Sequence, residues 1–285
     1  MMKIDLHCHS SASDGRRTPA ELYGFARERS LTVFSLTDHD TTAGLKAILE
    51  LDRLCEDPAK PRFIPGIELS SVFGHENIHL LGYFQRTEFL NEEFEKQLLN
   101  FRQKRDSRGL EMVNRLKLYY DIEIDIAQLD LDNDASLGRP HLAKLIQEKY
   151  SLPFDEIFRR YLGKHSKAYL PSSKIPTAEG IQLLKTMGAL VVMAHPGEYK
   201  LDISELSGLP FDGVECYYSK HTAAMTEKYI AYAHAHNLLI SCGSDDHGIP
   251  GDEKHGVLGD VPFDPAELWP FLKTMGINPG DLPAR

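Results

Sequence analysis

The sequence predicts an α/β fold: a largely parallel sheet, open or closed into a barrel, with a helical insert in its middle. Short apolar, β-branched runs recur along the 285 residues, and helical patterns separate most of them. One long polar stretch then breaks that rhythm. Parallel neighbours in a sheet need a crossover connection, and a helix is the usual one.

Taken in order, Lys3 to Leu6 is the first strand. Thr18-Pro19-Ala20-Glu21 opens a helix, with Thr18 as N-cap, Pro19 at the first helical position and Glu21 placed to close a capping box. Thr32 to Leu36 is the second strand. Arg62 to Ile67 and Ile78 to Tyr83, the third and fourth, lie too close together for a crossover helix, so Phe73 to Asn77 is a hairpin loop. From about Asn91 to Ser173 the chain is helical, polar and rich in basic residues, with no good parallel strand. A helix beginning at Thr177-Ala178-Glu179-Gly180 leads to the fifth strand, Ala189 to Ala194. Gly213 to Tyr217, a helix from Thr222 to His236, and Leu238 to Ser241 complete the pattern. The expected division is a sheet domain over 1–90 and 174–285, and an inserted helical subdomain over 91–173.

Composition narrows the function. Hydrophobic content of 42% and charged content of 26% are ordinary for a globular chain. No apolar run approaches the roughly 20 residues that span a bilayer. The opening residues lack a signal-peptide pattern, and Cys8, Cys55, Cys216 and Cys242 are scattered without paired spacing. Both features predict a reduced, cytoplasmic protein. A formal net charge of −10 argues against bulk electrostatic binding to long duplex nucleic acid. Bound divalent ions would reverse that sign locally, so a small anionic substrate stays compatible. Neither a membrane nor an obligate protein partner is indicated.

The chemistry sits at strand ends. In Lys3-Ile4-Asp5-Leu6-His7-Cys8-His9, strand alternation turns His7 and His9 to one face and Cys8 to the other, into the core. Asp14 follows in a turn. The second strand ends Thr37-Asp38-His39-Asp40 and the third Gly66-Ile67-Glu68; the fourth carries His79. The fifth ends Ala194-His195-Pro196-Gly197, and the last Gly243-Ser244-Asp245-Asp246-His247. In parallel α/β folds this edge is where active sites form. His7, His9, Asp14, His39, Glu68, His79, His195, Asp245 and His247 are therefore expected to converge. Mixed imidazole and carboxylate donors suit Zn, Mn or Fe rather than a thiolate site. Nine donors exceed what one tetrahedral ion uses, which predicts two or three divalent ions sharing a bridging carboxylate. Asp38, Asp40 and Asp246 are read as orienting or turn residues, His75 as a solvated turn residue, and His165, His234 and His236 as helix-surface residues. His255 lies in the Gly-rich stretch 248–259, either a lid or an ordinary surface loop.

These five segments (Asp5 to Ser10, Thr37 to Asp40, Gly66 to Glu68, Ala194 to Gly197, Gly243 to His247) resemble the PHP (polymerase and histidinol phosphatase) family, in the family's order, across the chain outside the insert. The resemblance implies a distorted (β/α)7 TIM-like barrel with a trinuclear metal site. It assigns His7, His9, Glu68 and Asp245 to one ion, Glu68, His79 and His195 to a second with Glu68 as bridge, and Asp14, His39 and His247 to a third. No ligand position departs from the pattern. In the insert, Gly138-Arg139-Pro140-His141-Leu142-Ala143 resembles small PHP phosphoesterases that act on nucleotides: phosphatases of 3′,5′-bisphosphonucleotides such as pAp, and a 5′-to-3′ exoribonuclease that trims short RNA.

Residue chemistry agrees with that resemblance. Pro140 at a helix start leaves free backbone N–H groups beside Arg139 and His141, and Arg139 can clamp phosphate bidentately. Lys104, Arg105 and Arg108, on a neighbouring helical stretch, add positive charge to a substrate cap. Tyr218-Ser219-Lys220-His221 resembles a substrate-side segment, giving Ser219 to substrate and His221 to protonation of the leaving group. Metal-dependent phosphomonoester hydrolysis is the activity implied, with Asp14, His39, Glu68 and His247 at its centre. A histidinol-phosphate-type phosphomonoesterase and a non-catalytic module that binds metal or nucleotide are the alternatives.

Overall fold

The computed structural model describes residues 2–128 and 137–282. They form two compact units, Met1–Glu95 with Ile175–Arg285, and Lys96–Lys174.

In the first unit the strands are β1 (Ile4–Asp5), β2 (Val33–Leu36), β3 (Arg62–Phe73), β4 (Glu76–Tyr83), β5 (Ile175–Pro176), β6 (Leu190–Met193), β7 (Gly213–Tyr218) and β8 (Leu239–Gly243). Seven of them form one sheet in the order β1-β2-β3-β4-β6-β7-β8, with β5 paired in parallel beside β3. Leu6 N–H donates to Cys242 O at 3.0 Å, and a parallel bridge joins Cys8 to Asp246, so β8 meets β1 and the seven staves make a barrel. Its distortion has two sources: β4 runs antiparallel to both neighbours, and β1 is only two residues long.

Helices α1 (Pro19–Glu28), α2 (Ala43–Leu54), α6 (Thr177–Thr186), α7 (Ala223–Ala235) and α8 (Pro265–Thr274) belong to this unit. At α1 the capping box forms as its sequence demands: Glu21 N–H donates to Thr18 Oγ1 at 3.2 Å, and Thr18 N–H to Glu21 Oε2 at 2.8 Å. The strands supply the core through buried Ile4, Phe34, Leu36, Ile67, Leu80, Val192, Val214 and Cys242, joined by Leu6 just after β1. Burial on both faces explains why these strands read as continuous apolar runs.

Three features depart from the sequence expectation. The third strand runs on to Phe73 because pairing with β4 carries it past the polar Ser70 and Ser71. It turns on Gly74, whose φ of +58° suits glycine in a two-residue hairpin. Two short elements, β5 and α8, were not expected. His165 lies in an exposed turn rather than on a helix, because the helix before it stops at Gly163.

The second unit holds most of α3 (Glu92–Tyr120), with α4 (Arg139–Tyr150) and α5 (Phe154–Ile157), the last continued by one π-helical turn over Phe158–Leu162. It has its own core, built from Met112, Leu116, Ile122, Leu142, Ile146, Ile157 and Leu162. Residues 129–136 of the expected insert lie outside the described residues.

Candidate metal centre

Alternation along the first strand sends His7 and His9 to the barrel mouth and buries Cys8, whose Sγ donates to Ser35 O. The loop that follows is gathered round Asp38. Its carboxylate accepts from the Ser10 N–H and from the hydroxyls of Ser10 and Ser13, each at 2.7 Å. That clamp carries Asp14 back to within 3.6 Å of His9 Nδ1. His39, after β2, is bridged in parallel to Glu68 on β3. His79 lies opposite Ser70 in the antiparallel register, which brings a mid-strand residue to the same rim. His195 follows β6, and Asp245 and His247 follow β8.

Three rim residues adopt left-handed backbone: Asp40 (φ +52°), His195 (φ +25°) and Asp245 (φ +59°). Each costs about 1–2 kcal/mol without glycine's freedom. Backbone hydrogen bonds hold two of them there, Asp40 N–H to Glu68 O at 2.9 Å and Asp245 N–H to His7 O at 2.8 Å, and the His195 N–H donates to Glu215 Oε2 at 2.7 Å.

Glu68 is the hub. Its Oε1 lies 2.9 Å from His79 Nδ1 and 3.2 Å from His195 Nε2. Its Oε2 lies 3.3 Å from both His7 Nε2 and His9 Nε2, and 3.0 Å from His39 Nδ1. Asp245 Oδ1 is 3.0 Å from His9 Nε2 and 3.4 Å from His7 Nε2. Asp14 faces His247 Nε2 at 3.3 Å and His39 Nε2 at 3.7 Å. All nine side chains named from sequence thus lie in one cluster. Three of its groups have donor atoms close enough to share one ion: His7, His9, Glu68 and Asp245; His39, Glu68 and His79; and His9, Asp14, His39 and His247.

These side chains fit divalent metal by their chemistry. Buried polar atoms in proteins are nearly always hydrogen-bonded. Here His7 Nε2, both ring nitrogens of His9, His39 Nδ1, His195 Nδ1 and Glu68 Oε2 are buried with no hydrogen bond. Nitrogen and oxygen lone pairs gathered this way suit Zn, Mn or Fe. Cys242 Sγ is turned away, toward Ile4 O.

Electrostatics follow from the crowding. Burial alone would raise Glu68 and Asp245, but the imidazoles around them hold both well below the carboxylate range. Burial alone would lower His9, yet Asp245 and Glu68 hold it up at about 10. Stability from His9 is therefore complete below its ordinary value of 6.5 and is lost as pH rises toward 10. Metal must displace that proton, so its affinity rises over the same window. Chelated protein is expected to lose melting temperature between pH 6.5 and 9, while metal-loaded protein holds or gains it. Scanning both forms across that range checks the divergence.

Other expected site residues fall into two groups. In the barrel, Ser219 Oγ is buried with no hydrogen bond. His221 uses both ring nitrogens on backbone: Nδ1 lies 2.9 Å from Cys216 O, and Nε2 accepts from Gly197 N–H at 3.1 Å. Nε2 has no proton to give in that arrangement. His221 thus braces the loop after His195, and its assignment as donor to the leaving group is withdrawn. In the helical unit, Lys104 is exposed and Arg105 buried on α3, while Arg108 reaches Leu170 O at 2.7 Å. Arg139 lies 5.4 Å from the centre of the Tyr169 ring, and His141 Nδ1 accepts from Gly138 N–H at the start of α4.

Sequence reasoning passed over Glu215 and Tyr199, and it named Tyr218 and His255 without placing them against the cluster. Glu215, fully buried, interrupts the apolar run Gly213-Val214-Glu215-Cys216-Tyr217, and an acid inside a buried strand is a legible signal. Tyr199 OH donates to Ala194 O at 2.6 Å, and Tyr218 OH lies 3.1 Å from Asp245 Oδ2. His255 stacks on His247 with ring centres 4.1 Å apart, and its Nδ1 lies 2.7 Å from Asp252 Oδ2. The glycines of its loop suit a lid and a surface loop alike, and only the fold brings His255 to His247.

A barrel whose C-terminal rim holds such a cluster is the architecture of a metal-dependent hydrolase. No family model matches the chain. It is 30% identical over 254 residues to the 5′-3′ exoribonuclease Rnm of Escherichia coli, covering 85% of this chain and 84% of that one. It is 27% identical over 292 residues to the 3′,5′-nucleoside bisphosphate phosphatase of Chromobacterium violaceum, covering 99% of this chain and 100% of that one. Among solved structures, a Bifidobacterium adolescentis protein described as a metal-dependent phosphoesterase superposes with a TM-score of 0.69 at 27% identity, covering 98% of both chains. The chain belongs to the PHP family of metal-dependent phosphoesterases. It is a hydrolase of phosphate esters and binds divalent metal.

Proposed function

We propose that this enzyme hydrolyses phosphate esters of nucleotides, taking 3′,5′-bisphosphonucleotides such as pAp and trimming short RNA from its 5′ end. The observation that carries the catalytic part is the Glu68 hub, one buried carboxylate facing five imidazoles. The nucleotide part is supported by the relatives named as a bisphosphate phosphatase and an exoribonuclease.

In this proposal the nine clustered side chains hold two or three ions of Mn, Zn or Fe, with Glu68 shared between two of them. When bound, such ions activate water for attack and offset charge on the phosphoryl group. The protein supplies the rest. Asp38 fixes the loop that presents Asp14, and His221 fixes the loop after His195. Ser219 Oγ, buried and without a partner, offers a hydroxyl to substrate. In the helical unit, Arg139 offers a planar fork for phosphate, with Lys104 and His141 as further cationic or polar groups, whereas Arg105 is buried and Arg108 directs its guanidinium to the Leu170 and Pro171 carbonyls. The four cysteines are all unpaired, which supports a reducing, cytoplasmic setting.

The test uses protein stripped with chelator and reloaded with manganese. It is given pAp, a 5′-phosphorylated oligoribonucleotide and histidinol phosphate in parallel. Phosphate release from pAp and shortening of the RNA from its 5′ end are expected, both faster than histidinol phosphate turnover. Full metal occupancy without turnover of either nucleotide substrate would refute the proposal.

A further inference from the structure

Glu215 is fully buried on β7 and lies outside the nine-residue cluster, yet it touches two members of it. Its Oε1 is 3.0 Å from His7 Nδ1, and its Oε2 accepts from the His195 N–H at 2.7 Å. His195 is one of the residues held in left-handed backbone. Each carboxylate oxygen therefore serves a different loop of the rim.

Two irregularities of the barrel wall make this placement possible. The register between β7 and β8 shifts between Glu215 and Tyr217, leaving Cys216 as an extra residue. In a regular strand residues three apart face opposite sides, but a bulge re-aims its neighbours. Here Glu215 and Tyr218 both reach the rim residues, Glu215 at His7 and Tyr218 at Asp245. Across the seam, Gly243 leaves the necessary room: a Cβ there would sit 2.4 Å from Glu215 Oε1 and 2.2 Å from His7 Cβ. Any side chain at that position would push the pair apart.

We propose that Glu215 is a positioning residue of the metal centre, holding His7 as the Nδ1–H tautomer and His195 in its left-handed turn with the same carboxylate. A histidine whose Nδ1–H is held by a carboxylate presents Nε2 as its lone pair. His7 Nε2 is the atom that faces Glu68 and Asp245. One side chain outside the ligand set thereby couples the positions served by His7 and by His195. The Asp14, His39 and His247 group makes no contact with it among the hydrogen bonds and ion pairs of the described residues. This inference rests on the cluster's holding divalent ions, as proposed above.

Zinc-loaded wild-type protein is examined first, by nitrogen-15 NMR of the imidazoles. His7 is expected to carry its proton on Nδ1 and zinc on Nε2; zinc on Nδ1, or a bare Nδ1, overturns the inference whatever any variant does. Glu215→Gln is then titrated with zinc against a chromophoric chelator. An amide has one acceptor oxygen for two donors, so one of them loses its partner. Affinity is expected to fall by about 10- to 100-fold. Anomalous scattering should confine the loss to ions touched by His7 and His195. Unchanged affinity with unchanged His7 resonances overturns the inference while leaving the metal centre intact. Failure of wild-type protein to bind any zinc or manganese refutes the metal centre itself, and the inference with it.

Discussion

Glu68→Gln is expected to lower kcat/KM on pAp by about 10³-fold or more, measured with manganese in excess. The two carboxylate oxygens face five ring nitrogens at 2.9–3.3 Å. An amide removes the negative charge and replaces one acceptor with a donor aimed at other donors. Metal content by equilibrium dialysis should fall in step with activity, because the shared ligand is gone. The metal-free variant is also expected to unfold more easily in urea, by about 3–5 kcal/mol, since removing one partner strands buried charge on the others. His39→Ala is the useful contrast. The His39 side chain is 23% exposed, so its loss should spare the fold while abolishing turnover. Collapse of that variant would favour a purely structural cluster.

Stripping the metal from wild-type protein should abolish turnover and lower the melting temperature by on the order of 10 °C. Free ion at about 1,000 times its dissociation constant stabilises the folded state by roughly 4 kcal/mol per site. Without metal, His7 Nε2, both ring nitrogens of His9, His39 Nδ1, His195 Nδ1 and Glu68 Oε2 stay buried without hydrogen bonds. Hydrogen exchange should place the loosening at the rim, at amides such as Asp245 N–H, which donates to His7 O. Manganese added back should restore both temperature and turnover; a chelated protein that keeps either one would contradict this account.

Much of the barrel was legible because its strands are buried on both faces and read as plain apolar runs. The capping box at Thr18 and the hairpin at Gly74 announced themselves through local chemistry that needs no partner. The extension of β3 did not, because Ser70 and Ser71 join the sheet only through pairing with β4. β5 likewise forms only by lying beside β3. His221 shows the same limit at the site. Its sequence position was compatible with proton donation, and only the folded loop revealed that both ring nitrogens are held by backbone.

Donor chemistry was settled by the chain alone: histidines and acids stand at the ends of apolar strands, and parallel strands must deliver their ends to a common rim. The tertiary structure decided which of those atoms meet, and what steadies them. His7 and Glu215 are 208 residues apart. They come together because β8 closes against β1, a bulge turns β7, and Gly243 yields space, none of which has a local signature in the sequence. Periodicity records which face a side chain takes; long-range closure alone fixes which lone pair points at which neighbour.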